Sequence, residues 1–246
     1  MAQTPIIISF ANLKGGVGKS AMCSLFGCYL HAQCSKVVVL DGDMQGSIYK
    51  KRAQCINEGH ISADDDGRKS FKLFRVDLTA KESVVAKLRS VITDDKPDVI
   101  LIDTPGGMND LSFINLMSLS HYVVTPFNYE EANVIATLHF VKKFFAINKV
   151  AENEPSKQDG RLILIPNRIV STWGTNEERE LWARTLAILN TIAGCVTHPV
   201  NALKAVSAWD TLALYPRQWS AVGKAFENIY FQLFKSDPPI TMYQDT

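Results

Sequence analysis

The stretch FANLKGGVGKSAM, residues 10–22, decides how the rest of the chain is read. It links the apolar run IIISF (6–10) to a segment of helical length (19–33), so a glycine-rich turn joins a predicted strand to a predicted helix. Gly15, Gly16 and Gly18 let the backbone turn tightly and point N–H groups inward, Val17 standing between them. Lys19 can then reach the terminal phosphates of a bound polyphosphate, and the Ser20 hydroxyl can ligate Mg²⁺. Six specified positions of KGGxGK[ST] match by chance at about 10⁻⁷ per site, too rarely for an ordinary turn. One lysine suffices for that task, which leaves Lys14 to be explained.

Outward from this loop, VVVL (37–40), VILI (99–102), YVVTPF (122–127) and LILI (162–165) repeat the pattern of the first run. Short continuous β-branched runs fit strands buried on both faces of a parallel sheet. Segments of helical length lie between them at 81–93, 109–118 and 129–149, with further helical patterns at 176–191 and 217–235. Alternating strand and helix predicts an α/β class fold, a doubly wound, mostly parallel sheet flanked by helices. The polar stretches 57–70 and 151–160 read as loops. The second could pass for a linker, but LILI supplies an ordinary next strand, so residues 1–246 are expected to form a single domain. There is no internal repeat.

The chain has 246 residues, 46% hydrophobic and 21% charged, and its 26 Lys/Arg against 25 Asp/Glu give a net charge of +1. Such a balance announces no nucleic-acid or membrane partner, so any such contact must use a local patch. Cys23, Cys28, Cys34, Cys55 and Cys195 are odd in number and lack CxxC spacing, which favours free thiols in a reducing compartment over a disulfide or metal role. No window holds the ~18 apolar residues needed to span a bilayer, and the first residues lack a charged segment followed by a long apolar run. A soluble, cytoplasmic protein is expected. ENIYFQ (227–232) is close to a protease-tag site but has Ile229 where that site has Leu, and it reads as native helix.

Two acidic motifs follow the glycine loop. VVVLDGDMQGS carries Asp41 and Asp43 where a strand gives way to a loop, and DVILIDTPGGMND ends a strand with Asp103 before Gly106 and Gly107. Strand ends are where α/β sheets place their ligands. Together with KGGVGKS, these motifs resemble the deviant Walker A, switch I and switch II segments of the ParA/MinD family of ATPases, a P-loop NTPase group. The resemblance covers residues 5–215 and is strongest in the first 110. It implies an Mg²⁺-dependent ATPase with ATP held by residues 14–21, Lys14 to Ala21, and Lys19 on phosphate. Lys14 would cross an interface to the nucleotide of a second copy, so that the homodimer depends on ATP. Asp43 would orient the attacking water, while Ser20, Asp41 and Asp103 serve the Mg²⁺ shell. VVTPFNYEEA (123–132) resembles the family's strand and helix near the dimer face. In LIPNRI (164–169), Asn167 reads either as an adenine-binding amide or as an ordinary strand-end asparagine. Two departures stand out: Met44 replaces the usual switch I proline, and Ala21 replaces a threonine whose hydroxyl would meet an α-phosphate.

The family applies one switch to several cargoes. A ParA-like partition or DNA-transfer ATPase is expected first, binding DNA without sequence preference and answering to a ParB-like activating partner, with nucleoid association following from the DNA. Lys204, Arg217 and Lys224 are the DNA-binding candidates, although residues 151–246 hold nine Lys/Arg against ten Asp/Glu, and all three also read as solvated surface. Because the first strand is read from about residue 5, the short type without an N-terminal helix-turn-helix domain is expected. A scaffolding ATPase acting on a protein machine is the alternative. A MinD-like membrane role is disfavoured, since Lys235 is the one basic residue in the final amphipathic stretch. A nitrogenase-reductase-like role would need paired cysteines just after switch II, and none occurs between Cys55 and Cys195.

Overall fold

The computed structural model describes residues 4–33, 35–65, 67–150, 161–170 and 174–238. Cys34, the expected loop at 151–160 and the tail from Pro239 lie outside the described residues. Six strands, β1 (Ile6–Phe10), β2 (Val37–Asp41), β3 (Lys72–Arg75), β4 (Val99–Asp103), β5 (Tyr122–Phe127) and β6 (Arg161–Pro166), form one sheet in the order β3-β2-β4-β1-β5-β6. Every pairing is parallel. Parallel neighbours require crossovers, and the chain supplies α1 (Lys19–Ala32), α2 (Ser47–Asn57), α3 (Lys81–Asp94), α4 (Asp110–Leu119) and α5 (Glu131–Val150). Beyond β6 come α6 (Asn176–Ala193), the single turn α7 (Lys204–Ser207) and α8 (Pro216–Phe234).

Alternate residues of each central strand enter opposite layers, as the period of a strand dictates. Ile8, Phe10, Val37, Val39, Val99 and Leu101 face a core built with α1 and α8, where Phe226 packs edge-on against Phe26 at 5.1 Å and Tyr29 at 5.6 Å. Ile7, Val38, Leu40, Ile100 and Ile102 face the second core, against Val84 and Leu88 of α3, Phe113 of α4, Phe140 and Phe144 of α5 and Leu189 of α6. Both cores explain why the strands read as unbroken apolar runs.

Local signals fix the later helices. α6 starts in a reciprocal cap, with Thr175 Oγ1 accepting from the Glu178 amide and Glu178 Oε2 accepting from the Thr175 amide. α8 starts with Pro216, whose missing N–H costs nothing in a first turn.

Three elements depart from the sequence reading, which contained neither α2 nor β3 nor the single turn α7. β3 is an edge strand, KLFR, with no fully buried residue, so it shows no apolar run. In α2 just Ile48 and Cys55 are buried, too few to mark an apolar stripe. The helix expected at 129–149 begins at Glu131, after Asn128 takes the turn.

The register sets up the site. Phe10 lies opposite Asp103, Asp41 opposite both Asp103 and Arg75, and all four are the last residues of their strands. Whatever follows β1, β2 and β4 therefore emerges at one edge of the sheet.

Candidate functional site

Residues 11–18 leave the end of β1 and return into α1. Gly16 and Gly18 adopt left-handed φ of 78° and 96°, where a Cβ is costly, and Gly18 is the N-cap of α1 without any side-chain cap. The first amides of α1 thus have no side chain competing for them, which suits an anion. A Cβ at Gly18 would also stand 2.4 Å from Asn167 Nδ2. The second acidic loop packs directly on this turn: a Cβ at Gly106 would lie 3.0 Å from Gly15 Cα, and Gly107 N–H donates to the Leu13 carbonyl at 3.1 Å.

The two lysines occupy different environments. Lys19 is buried, its Nζ donates to the Lys14 carbonyl at 3.1 Å, and burial lowers its pKa while Asp103 and Asp43 oppose the shift. Lys14 is exposed. Its backbone is nonetheless fixed, because its N–H donates to Asn12 Oδ1 at 3.1 Å. The Asn12 side chain is buried and in turn donates to the Pro126 carbonyl at 2.9 Å and to Thr137 Oγ1 at 3.2 Å, tying the loop to β5 and α5.

The three carboxylates differ as sharply. Both Asp41 oxygens accept backbone amides, Oδ1 from Asp43 at 3.3 Å and Oδ2 from Tyr49 at 3.0 Å, so this side chain organises the loop between β2 and α2. Asp43 is half-buried and holds the Gln45 amide at 2.9 Å. Asp103 is fully buried, and neither of its oxygens has a hydrogen-bond partner of acceptable geometry. Burial pushes its pKa up to about 7; the neighbouring Ser20 hydroxyl counters this, Asp41 adds to it, Lys19 counters it and Asp43 adds to it. A buried carboxylate without partners, beside a hydroxyl and an ammonium, is the chemistry a hard divalent cation satisfies, so the residues fit Mg²⁺.

On the far side of the turn an open cavity of about 1120 Å³ is lined by Gly18, Ala21, Asn167 and Arg168, with the Tyr129 and Trp182 rings stacked 4.9 Å apart in its wall. Asn167 donates its Nδ2 to the Val17 carbonyl at 2.8 Å and keeps a buried, unpartnered Oδ1. Lys204 on α7, and Arg217 and Lys224 on α8, are exposed on two helices that pack together, and Lys204 lines this same cavity.

Residues 8–193 match the CobQ/CobB/MinD/ParA nucleotide binding domain. The chain belongs to that family. Among its relatives, the cytosolic Fe-S cluster assembly factor CFD1 of Yarrowia lipolytica is 29% identical over 182 residues, 62% of either chain. The iron-sulfur cluster carrier protein of Rickettsia felis is 28% identical over 162 residues, 56% of this chain and 49% of its own. The chain thus spans between about half and two-thirds of the length of the curated relatives it matches. Among solved structures, an McdA–ATP complex from Cyanothece superposes with a TM-score of 0.68 at 15% identity, covering 96% of this chain and 99% of that one. A cobyrinic acid a,c-diamide synthase from Mycobacterium smegmatis, with an ATP analogue and magnesium bound, gives 0.66 at 17%, covering 97% and 100%. A putative plasmid partition protein of Borrelia burgdorferi bound to AMPPNP gives 0.58 at 19%, covering 95% and 99%. At these identities the likeness establishes the fold, which is the one the ParA/MinD resemblance implied.

Within the CobQ/CobB/MinD/ParA frame, the expected residues Lys14 to Ala21, Asp41, Asp43, Asp103 and Asn167 converge on one edge of the sheet. Three residues that sequence reasoning passed over join them. Asn12 was legible as a polar residue between an apolar strand and the loop. Arg168 directly follows Asn167. Arg75 had no signal, because β3 was not recognised; its Nη2 donates to the Met44 carbonyl at 3.4 Å and its guanidinium lies 6.0 Å from the Tyr49 ring.

Proposed function

We propose that the protein is an Mg²⁺-dependent ATPase whose ATP-bound copies close face to face into a homodimer, and that slow hydrolysis opens it again. The observation that carries this reading is the contrast between the lysines: Lys19 is buried at the phosphate turn, whereas Lys14 projects from the same turn into solvent on a backbone fixed by Asn12. A cation so placed adds little within one copy, but it can neutralise phosphate charge in a shared interface. Ser20 and Asp103 would hold Mg²⁺, with Asp41 shaping the loop beside them, and the ion would supply positive charge against the phosphates. Lys19 and the loop amides hold the phosphates, and Asn167 Oδ1 accepts from the adenine amine. Asp43 orients a water toward the γ-phosphorus; the new P–O bond forms as the bond to the β,γ-bridging oxygen breaks, giving ADP and phosphate.

The cargo we assign is DNA, in partition or transfer, held without sequence preference by Lys204, Arg217 and Lys224 and released when a ParB-like partner speeds hydrolysis. The likeness to a putative plasmid partition protein of Borrelia burgdorferi supports this direction. The names of the curated relatives point to iron–sulfur chemistry, but such clusters are held by several thiolates, and this chain has none between Cys55 and Cys195. A second reading, a scaffold for a protein machine, draws on the exposed Leu181, Ile188 and Ile192 along α6. No described helix is long and apolar enough to cross a membrane.

Anisotropy of a random-sequence duplex titrated with Asp43→Ala protein, in ATP and in ADP at two salt concentrations, separates the readings. Binding in ATP that weakens steeply with salt is the expected result. No binding in either nucleotide moves the protein to the scaffold class.

A further inference from the structure

Two successive side chains at the end of β6 grip two successive carbonyls of the phosphate loop. Asn167 Nδ2 donates to the Val17 carbonyl at 2.8 Å, and Arg168 Nη1 donates to the Gly16 carbonyl at 2.7 Å. Arg168 does so from a left-handed backbone, φ 58°, a conformation unfavourable for a residue with a Cβ and maintained only where the surroundings require it. The Arg168 side chain is exposed, while its neighbours are anchored through the backbone, Asn167 N–H donating to the Phe127 carbonyl and Ile169 N–H to the Val200 carbonyl.

The consequence follows from peptide planarity. There are no cis peptide bonds among the described residues, so the C=O and N–H of each peptide unit point in opposite directions. A Gly16 carbonyl drawn toward β6 turns the Val17 N–H away from β6, and the Val17 carbonyl does the same for the Gly18 N–H. These two peptide units lie on either side of Val17, whose side chain is buried. They are flanked by Gly16 and Gly18, which tolerate many backbone conformations and allow either peptide plane to flip. The two side chains remove that freedom before any ligand arrives.

We propose that Arg168 is a positioning residue of the phosphate site, holding the Gly16–Val17 peptide so that the loop amides are already aimed at the β-phosphate of a nucleoside diphosphate or triphosphate. The inference rests on the nucleotide-binding reading of the loop and extends it to a residue outside KGGVGKS. Arg168 acts on phosphate through the backbone, in the same copy, and preorganisation of this kind appears as affinity rather than as fold stability.

The test is calorimetric titration of ADP, and of AMP by displacement, into the wild-type chain and Arg168→Gly. Glycine takes φ 58° without strain, so the melting temperature of the nucleotide-free variant equals or exceeds that of wild type. Its ADP affinity falls at least tenfold while its AMP affinity changes less than twofold, so the preference for ADP over AMP is lost. Wild-type ADP affinity in Arg168→Gly overturns the proposal, as does an equal loss for ADP and AMP. If the wild-type chain itself binds no ADP, the underlying nucleotide reading is what fails.

Discussion

Asp103 and Lys19 show how a site can be destabilising before it is occupied. The Asp103 carboxylate is buried without partners, and its pKa is pushed up to about 7. Its folded-state pKa is thus above the ordinary carboxylate value, and the fold favours the protonated form. The stability this contributes is present in acid and is lost as pH rises through about 7. Asp103→Asn stays neutral throughout. Without Mg²⁺ and nucleotide it is expected to melt above wild type at pH 8, by about 2–4 °C for each kcal/mol relieved, and to match wild type near the pH at which free carboxylates protonate. ATP turnover in the same variant should fall to background. A melting temperature unchanged at pH 8 would mean the carboxylate is solvated after all. Lys19→Gln removes the buried cation that faces Asp103 and Asp43; nucleotide binding measured by calorimetry should disappear, and wild-type affinity would refute the assignment of the turn.

At the scale of elements, legibility tracked burial. IIISF and YVVTPF were read to their true ends because both sheet faces are covered there, so every residue is apolar or small. KLFR was missed because none of its residues is fully buried, unlike most residues of the other edge strand, β6, and with it went Arg75 and its hydrogen bond to the Met44 carbonyl. The carboxylate motifs were legible because they end strands, but their different states were not. Only the folded chain shows two amides on Asp41 and no partner on Asp103. Nor could the sequence show that Asn167 donates to the loop itself rather than waiting wholly for a base. α8, far from the motifs in sequence, braces α1 through Phe226, which is fully buried against Phe26 and Tyr29. Phe226→Ala is expected to cost about 3–5 kcal/mol in urea unfolding, since it opens a cavity between the helix that follows the phosphate turn and its support. ADP affinity of the fraction that remains folded should stay within a few-fold of wild type.

For the whole molecule, the register of β1, β2, β3 and β4 gathers four strand ends at one edge. Motifs separated by up to ninety residues in the sequence thereby become one site. The exposed Lys14 stands on that edge, and its position is what turns a nucleotide-binding domain into a proposed two-copy switch. Purpose is less legible than chemistry, because Lys204, Arg217 and Lys224 are ordinary exposed cations in a stretch, residues 151–246, whose nine Lys/Arg and ten Asp/Glu nearly balance. The measurement that bears most directly on the switch is multi-angle light scattering of Asp43→Ala in ATP and in ADP, with the double variant Lys14→Ala, Asp43→Ala alongside. The account predicts twice the 27.3 kDa chain mass for Asp43→Ala in ATP, a single chain in ADP, and a single chain for the double variant in either nucleotide. An ATP dimer that persists without Lys14 would contradict it.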